Sequence, residues 1–237
     1  MQSRIELQFK LDAYYNHCLR EAQACFSRHL DVLSAPLLLN VADDYLNADV
    51  RIMFVGKETN GWWGSLRKFY ETADAVAAVR ARYVEQFHRP TGHSRFLRIT
   101  KLLAHELAGA KRSAICWNNL MKMDWDRGRG FSRSSIEHSP ELFELSTRMV
   151  RHEIDLLKPN VIIFGSGPAY DRAIKAVLPD RTTISVEPRA LWHFTAGDIR
   201  CYRTYHPNAR DSSAARPIGH YYADIVAAIK SNRACTA

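Results

Sequence analysis

Lys158-Pro159-Asn160-Val161-Ile162-Ile163-Phe164-Gly165-Ser166-Gly167-Pro168 decides the fold class of this chain. Residues 160–164 are its clearest strand, and the Gly-Ser-Gly-Pro turn ends that strand abruptly. A helical pattern precedes it over 140–157, and another follows over 169–177. The same alternation extends in both directions. Further strands are expected at 50–55 (ended by Gly56), 113–120, 182–186 and 199–205. Helices are expected at 4–33 (closed by Pro36), 70–87, 94–107 and 218–231. Strands alternating with helices indicate a mostly parallel sheet covered on both faces. The expected architecture is a single three-layer α/β/α domain over 1–237 with a short central sheet and a helical N-terminal extension over 1–48. There is no internal repeat, low-complexity segment or interdomain linker.

With 237 residues, 46% apolar and 24% charged, the chain has the composition of a soluble globular domain with a substantial core. Its formal net charge of +8 points to an anionic partner such as nucleic acid, an acidic lipid surface or a polyphosphate. The five cysteines, Cys18, Cys25, Cys116, Cys201 and Cys235, are odd in number and lack C-x-x-C spacing. That pattern argues against a disulfide framework or zinc knuckle and fits a reducing compartment. The start lacks the apolar stretch of a signal peptide, and no run approaches the roughly 18 apolar residues of a membrane span. A cytoplasmic monomer without membrane association is expected.

Two motifs carry chemistry. Residues 51–61 (Arg-Ile-Met-Phe-Val-Gly-Lys-Glu-Thr-Asn-Gly) and 203–208 (Arg-Thr-Tyr-His-Pro-Asn) each run from a β-prone stretch into a polar turn. Ligands of open α/β sheets bind outside the carboxyl ends of the strands, so Glu58 and His206 are expected to face each other across a cleft. Glu58 suits orienting a water or balancing positive charge in a transition state. Its position also suits a solvated loop acid or an N-cap partner. His206, in a turn restricted by Pro207, suits donating an N–H to a developing oxyanion, or simply a surface loop.

Other groups follow further strands. Asn118, Asn119 and Lys122 lie at the end of the second. An asparagine amide presents a donor and an acceptor, as reading a base edge requires, and asparagine is also a common turn former. Ser166 sits in a glycine turn whose backbone N–H groups suit a phosphate, without G-x-G-x-x-G or Walker spacing. Trp62, Trp63 and Phe69 offer faces for base stacking, worth ~1–3 kcal/mol per base, with at least one expected in the core. Arg127, Arg129 and Arg133 form a glycine-containing basic loop that suits phosphate contacts or a solvated surface.

In order and character these segments resemble the uracil-DNA glycosylase superfamily over roughly residues 50–229. Gly56-Lys57-Glu58-Thr59-Asn60-Gly61 is similar to the family's first motif, with Glu58 at the catalytic position. Residues 115–122 resemble the strand whose terminal asparagine, here Asn119, reads the flipped base. Residues 158–165 resemble its "P-x-V-I-x-x-L-G" strand, and Thr204-Tyr205-His206-Pro207 its second catalytic motif. The resemblance implies a monofunctional DNA glycosylase that extrudes a nucleotide into a pocket and hydrolyses its N-glycosidic bond. By the same resemblance Glu58 stabilises the sugar cation and positions water, and His206 bonds the base oxygen. Gly56, Asn60, Trp62 and Phe69 join Asn119 around the base, with Phe69 or a tryptophan stacking on it. Lys122, Arg127, Arg129, Ser166, Arg210 and Ser212 contact DNA. No metal or other cofactor is implied.

Three departures shape the expected substrate. Uracil-specific members carry a tyrosine two residues after the catalytic acid, where this chain has Asn60. The lost bulk implies a C5-substituted pyrimidine rather than uracil, whether a damaged base or a modified base of viral DNA, with roles in repair or antiviral defence. Glutamate replaces the usual aspartate or asparagine at position 58. The cysteines do not reproduce the closely spaced N-terminal pair of the iron–sulfur branches, so no cluster is expected. The alternatives are a catalytically inactive glycosylase-like nucleic-acid-binding module and a hydrolase of free nucleosides or nucleotides.

Overall fold

Apolar periodicity and capping residues define the helices. Ser3 begins α1 (Arg4–Ala22) with a capping box: its hydroxyl accepts the Glu6 N–H, and the Glu6 carboxylate accepts the Ser3 N–H at 2.8 Å. Ser94 caps α5 (Arg95–Leu107), and Ser139 caps α6 (Pro140–Leu157). Pro140 occupies the first turn of α6, where its missing N–H is harmless, and Lys158 in the left-handed region (φ 46°) ends that helix.

These features come from a computed structural model describing residues 3–90, 92, 94–125, 139–210 and 214–234. The chain has an α/β fold, a central mixed and mostly parallel sheet flanked by helices that include the long α1. The remaining helices are α2 (Asp43–Leu46), α3 (Leu66–Glu71), α4 (Ala75–His88), α7 (Asp171–Val177) and α8 (Ile218–Ala234). Among the described residues, no helix is long and apolar enough to cross a membrane.

The strands are β1 (Ile52–Gly56), β2 (Ile115–Asn119), β3 (Val161–Phe164), β4 (Arg181–Glu187), β5 (Leu191–Ala196) and β6 (Ile199–Arg203). Their order in the sheet is β2-β1-β3-β6-β5-β4. β1 and β3 are buried at every position, as continuous apolar strands of a covered parallel sheet should be. β1, β3 and β6 are parallel, with Val55, Phe164 and Arg203 aligned across the three. The chain therefore leaves one sheet edge after Gly56, Phe164 and Arg203. The strand order reverses direction between β1 and β3, the kind of switch point at which open α/β sheets place their ligands.

Three local expectations change. The single helix over 4–33 ends at Ala22, and Leu33 and Ser34 instead make β-bridges to Trp125 and Ser65. The helix over 70–87 is two helices, broken before Asp74, which takes a left-handed φ of 49°. β5 was not expected at all. Its Leu-Trp-His-Phe-Thr-Ala run buries Trp192 and Phe194 and leaves His193 and Thr195 partly exposed, a period-two signal that a six-residue segment carries only weakly. Antiparallel pairing of β5 with β4 and β6 makes the sheet mixed.

The chain divides into two compact units. The first comprises Met1–Val41, Lys57–Arg89 and Asn118–Lys158. In it α1 packs on α4 and α6 and buries Leu7, Leu11, Tyr15, Cys18 and Leu19, so the N-terminal helix is part of this core. The second comprises Ala42–Gly56, Pro90–Trp117 and Pro159–Ala237. Here α5 and α8 supply Leu103, Leu107, Tyr222, Ile225 and Ile229 to a core shared with Ile52, Phe54 and Ile163 of β1 and β3.

The packing around Gly165 is tight. A Cβ at this position would lie 2.6 Å from the Tyr222 hydroxyl and 2.8 Å from the Phe54 ring. Gly165→Ala is therefore expected to lower stability by about 1–3 kcal/mol, the usual range for overpacking, measured by urea denaturation. Burial raises the phenols of Tyr45 and Tyr222 well above 10.0, and that of Tyr70 to about 12. A raised folded-state value favours the neutral phenol. Its stabilising contribution is complete below the unfolded value near 10 and is lost as pH rises through 12. Ultraviolet titration at pH 11 should show fewer ionised tyrosines in the native protein than in the urea-unfolded chain, and stability should fall across that window.

Candidate functional site

The turn after β1 is built around a buried carboxylate. Asp124, 1% exposed, accepts the Thr59 hydroxyl and, at 3.1–3.2 Å, the Gly61 N–H. Ser34 shares a 3.0 Å hydrogen bond with the Thr59 hydroxyl and accepts the Asp124 N–H, also at 3.0 Å. The Met121 N–H donates to the Lys57 carbonyl at 2.8 Å. Thr59 and Gly61 are thereby pinned, while Glu58 stays half-buried and Asn60 is exposed. Burial lowers the Lys57 ammonium below its ordinary value, and the Glu58 carboxylate opposes that shift.

The aromatics beyond this turn divide by role. Trp63 holds a left-handed φ of 56°, with the Lys68 ammonium 4.0 Å from its ring and 3.3 Å from its carbonyl. Trp62 is half-buried. Phe69, expected to stack on a base, is 5% exposed and packs edge-on to Tyr70 at 5.5 Å. It is a core residue of the first unit.

At the end of β2 a polar network replaces an expected DNA contact. Lys122 has no solvent exposure, so it does not reach a phosphate at the surface. Its ammonium donates to both Glu153 oxygens at 2.6 and 2.7 Å and to Asn118 Oδ1 at 2.6 Å. The Asn118 amide and the Tyr15 hydroxyl also donate to Glu153, at 2.8 and 2.6 Å. A lysine four residues past an asparagine looked surface-directed because its acidic partner lies 31 residues away on the buried stripe of α6. Asn118 Oδ1 also takes the Asn119 N–H at 2.8 Å, so the network orients Asn119. The Asn119 side chain is 3% exposed, and among the described residues its amide makes no hydrogen bond.

The second unit supplies the other motif. The Gly165 and Gly167 N–H groups donate to the carbonyls of Val55 and Thr204, both at 2.9 Å, extending the sheet instead of forming an anion cradle. Ser166 is fully buried, so the expected DNA contact through it is not available at the surface. Beyond β6, the Tyr222 hydroxyl donates to the Tyr205 carbonyl at 2.8 Å and secures the chain immediately before His206. His206 Nδ1 accepts the Asn208 N–H at 3.1 Å. A neutral ring accepting at Nδ1 carries its proton on Nε2, which makes Nε2 the donor.

Phe96 joins the site only through tertiary contacts. It is half-buried and stacks on Phe54 at 4.7 Å and on His206 at 5.9 Å, with the half-buried Trp117 at 5.7 Å. A phenylalanine in the first turn of an amphipathic helix looks like core, and only the fold brings it to the histidine. Asp124, the anchor of the Glu58 turn, had no local signal either. Arg210 is exposed four residues beyond His206. Arg127, Arg129, Arg133 and Ser212 lie outside the described residues.

Lys122→Met should destabilise the protein by about 3–5 kcal/mol, because it strands the Glu153 carboxylate in the core. Adding Glu153→Leu should recover most of that loss, and chemical denaturation of the two variants checks both expectations. No protein-family model matches the chain, and no curated protein matches it.

Proposed function

We propose that this chain is a DNA glycosylase of the uracil-DNA glycosylase type, hydrolysing the N-glycosidic bond of a flipped, C5-substituted pyrimidine. The observation that carries the reading is the Asn119 amide, nearly buried and without a hydrogen bond among the described residues. An amide without a hydrogen bond among the described residues, placed at a strand end, suits a ligand that supplies both a donor and an acceptor. A pyrimidine edge does so. The donating Nε2 of His206 suits a carbonyl oxygen that gains negative charge as the base leaves.

In this mechanism the C1′–N1 bond breaks, its electron pair departs with the base, and His206 Nε2–H bonds the charged base oxygen. The half-buried Glu58 carboxylate balances the sugar cation and takes the proton of the water that adds to C1′. The exposed Asn60 leaves room for a C5 substituent. The protein acts as a cytoplasmic monomer on DNA and uses no cofactor.

The test is incubation with DNAs carrying different C5 modifications, followed by mass spectrometry of released bases. Glu58→Gln should reduce base release by about 10²–10⁴-fold while leaving DNA affinity within two-fold, since a neutral amide cannot accept the proton. His206→Ala should reduce it by about 10²–10³-fold, the usual cost of one oxyanion donor. Failure of the wild type to release any base would overturn the reading.

A further inference from the structure

We propose that a groove along α5, in the second unit, binds the phosphodiester backbone of a nucleic-acid strand. Arg95 and Arg98 form one wall of this groove of about 360 Å³, Pro207 borders it, and Ile218 and Gly219 of α8 line the opposite side. The proposal deepens the preceding reading and rests on its nucleic-acid partner, though not on base excision.

The charge pattern carries it. Many surface cations of this chain are matched: Arg67 with Asp31, Arg82 with Glu85, Lys111 with Asp44, Arg216 with Asp224 and Lys230 with Glu106. Arg95, Arg98 and Lys101 follow one another at three-residue spacing and are exposed. Among the described residues, their side chains make no hydrogen bond or ion pair. The opposite face of α5 is buried through Thr100, Leu103, Ala104 and Leu107, so the helix is held with these cations outward. A lone surface arginine has no such significance, but two unneutralised guanidinium groups walling a groove present paired donors to the oxygens of bridging anions.

The groove also lies beside the chemistry. Pro207 directly follows His206, and Phe96, between the two arginines in sequence, stacks on the His206 ring. A strand whose phosphates meet Arg95 and Arg98 would bring its bases toward the half-buried faces of Phe96 and Trp117. A single free phosphate would use the arginines but gain nothing from this aromatic ledge. A strand is therefore the favoured occupant.

The test measures anisotropy of a labelled, unmodified single-stranded oligonucleotide across a salt series. Arg95→Gln/Arg98→Gln should weaken binding by at least roughly ten-fold and reduce the slope of log K against log salt by about 1.4, the release expected for two lost phosphate contacts. Gly219→Glu should weaken binding comparably. A Cβ there meets nothing within 4 Å, so the acid enters the groove without disturbing the fold, which thermal melting verifies. Arg82→Gln/Arg89→Gln, removing one charge from α4 and one from the residue that follows it, should change affinity by less than two-fold.

An unchanged slope in the Arg95/Arg98 variant would overturn the proposal. So would an equal loss in the α4 control, or displacement of the oligonucleotide by millimolar inorganic phosphate. Loss of binding to anionic lipid vesicles without loss of oligonucleotide binding would overturn it as well. Base release is scored separately: binding that depends on Arg95 and Arg98, in a protein that releases no base, would remove the excision reading and leave the groove standing.

Discussion

The buried ion pair of Lys122 with Glu153 is the constraint on which the first unit depends. Neither side chain reaches solvent, so each charge must be met inside. Asn118 Oδ1 from β2 and the Glu153 carboxylate from α6 accept from the ammonium, while the Tyr15 hydroxyl from α1 and the Asn118 amide donate to that carboxylate. Such a cluster adds little stability over an apolar core of the same volume, but any member that slips exposes an uncompensated charge. Asn118 is therefore locked. Its oxygen also takes the Asn119 N–H, so a requirement for charge balance fixes the backbone of the residue proposed above to read the base.

In the second unit the equivalent discipline comes from close packing. Parallel pairing aligns the ends of β1, β3 and β6, and the Gly165 N–H reaches back to the Val55 carbonyl. Only a residue without a Cβ fits between Phe54 and Tyr222 at that point. Tyr222, so placed, bonds the Tyr205 carbonyl, and the following histidine has its tautomer chosen by the Asn208 N–H. Packing and hydrogen bonding reach His206 through this short chain of contacts.

Much of the fold was legible because its signals are local. The apolar runs of β1 and β3, the serine caps of α5 and α6, and the glycines after the strands each act within a few residues. The helix over 140–157 was expected with the bounds it has. The positions of Glu58, Asn119 and His206 at or just beyond strand ends were legible for the same reason. β5 escaped because an edge-proximal strand of alternating aromatic and polar residues carries a weak signal over six positions. Lys122, Ser166 and Phe69 were assigned to contacts with ligand because polarity or aromaticity in a motif says nothing about depth. All three are buried.

By itself, then, the sequence determined the α/β class, most element positions and the residue types available at the strand ends. Tertiary structure decided which of those residues remain available for chemistry. It buried Lys122 against a glutamate 31 positions away, pinned the Glu58 turn to Asp124, and brought Phe96 to His206. It also decided which cations stay unneutralised, a property that composition reports only as a net +8. The physical reason is range. Periodicity and capping act between near neighbours along the chain, whereas burial, ion pairing and ring stacking depend on partners that only the folded chain brings together.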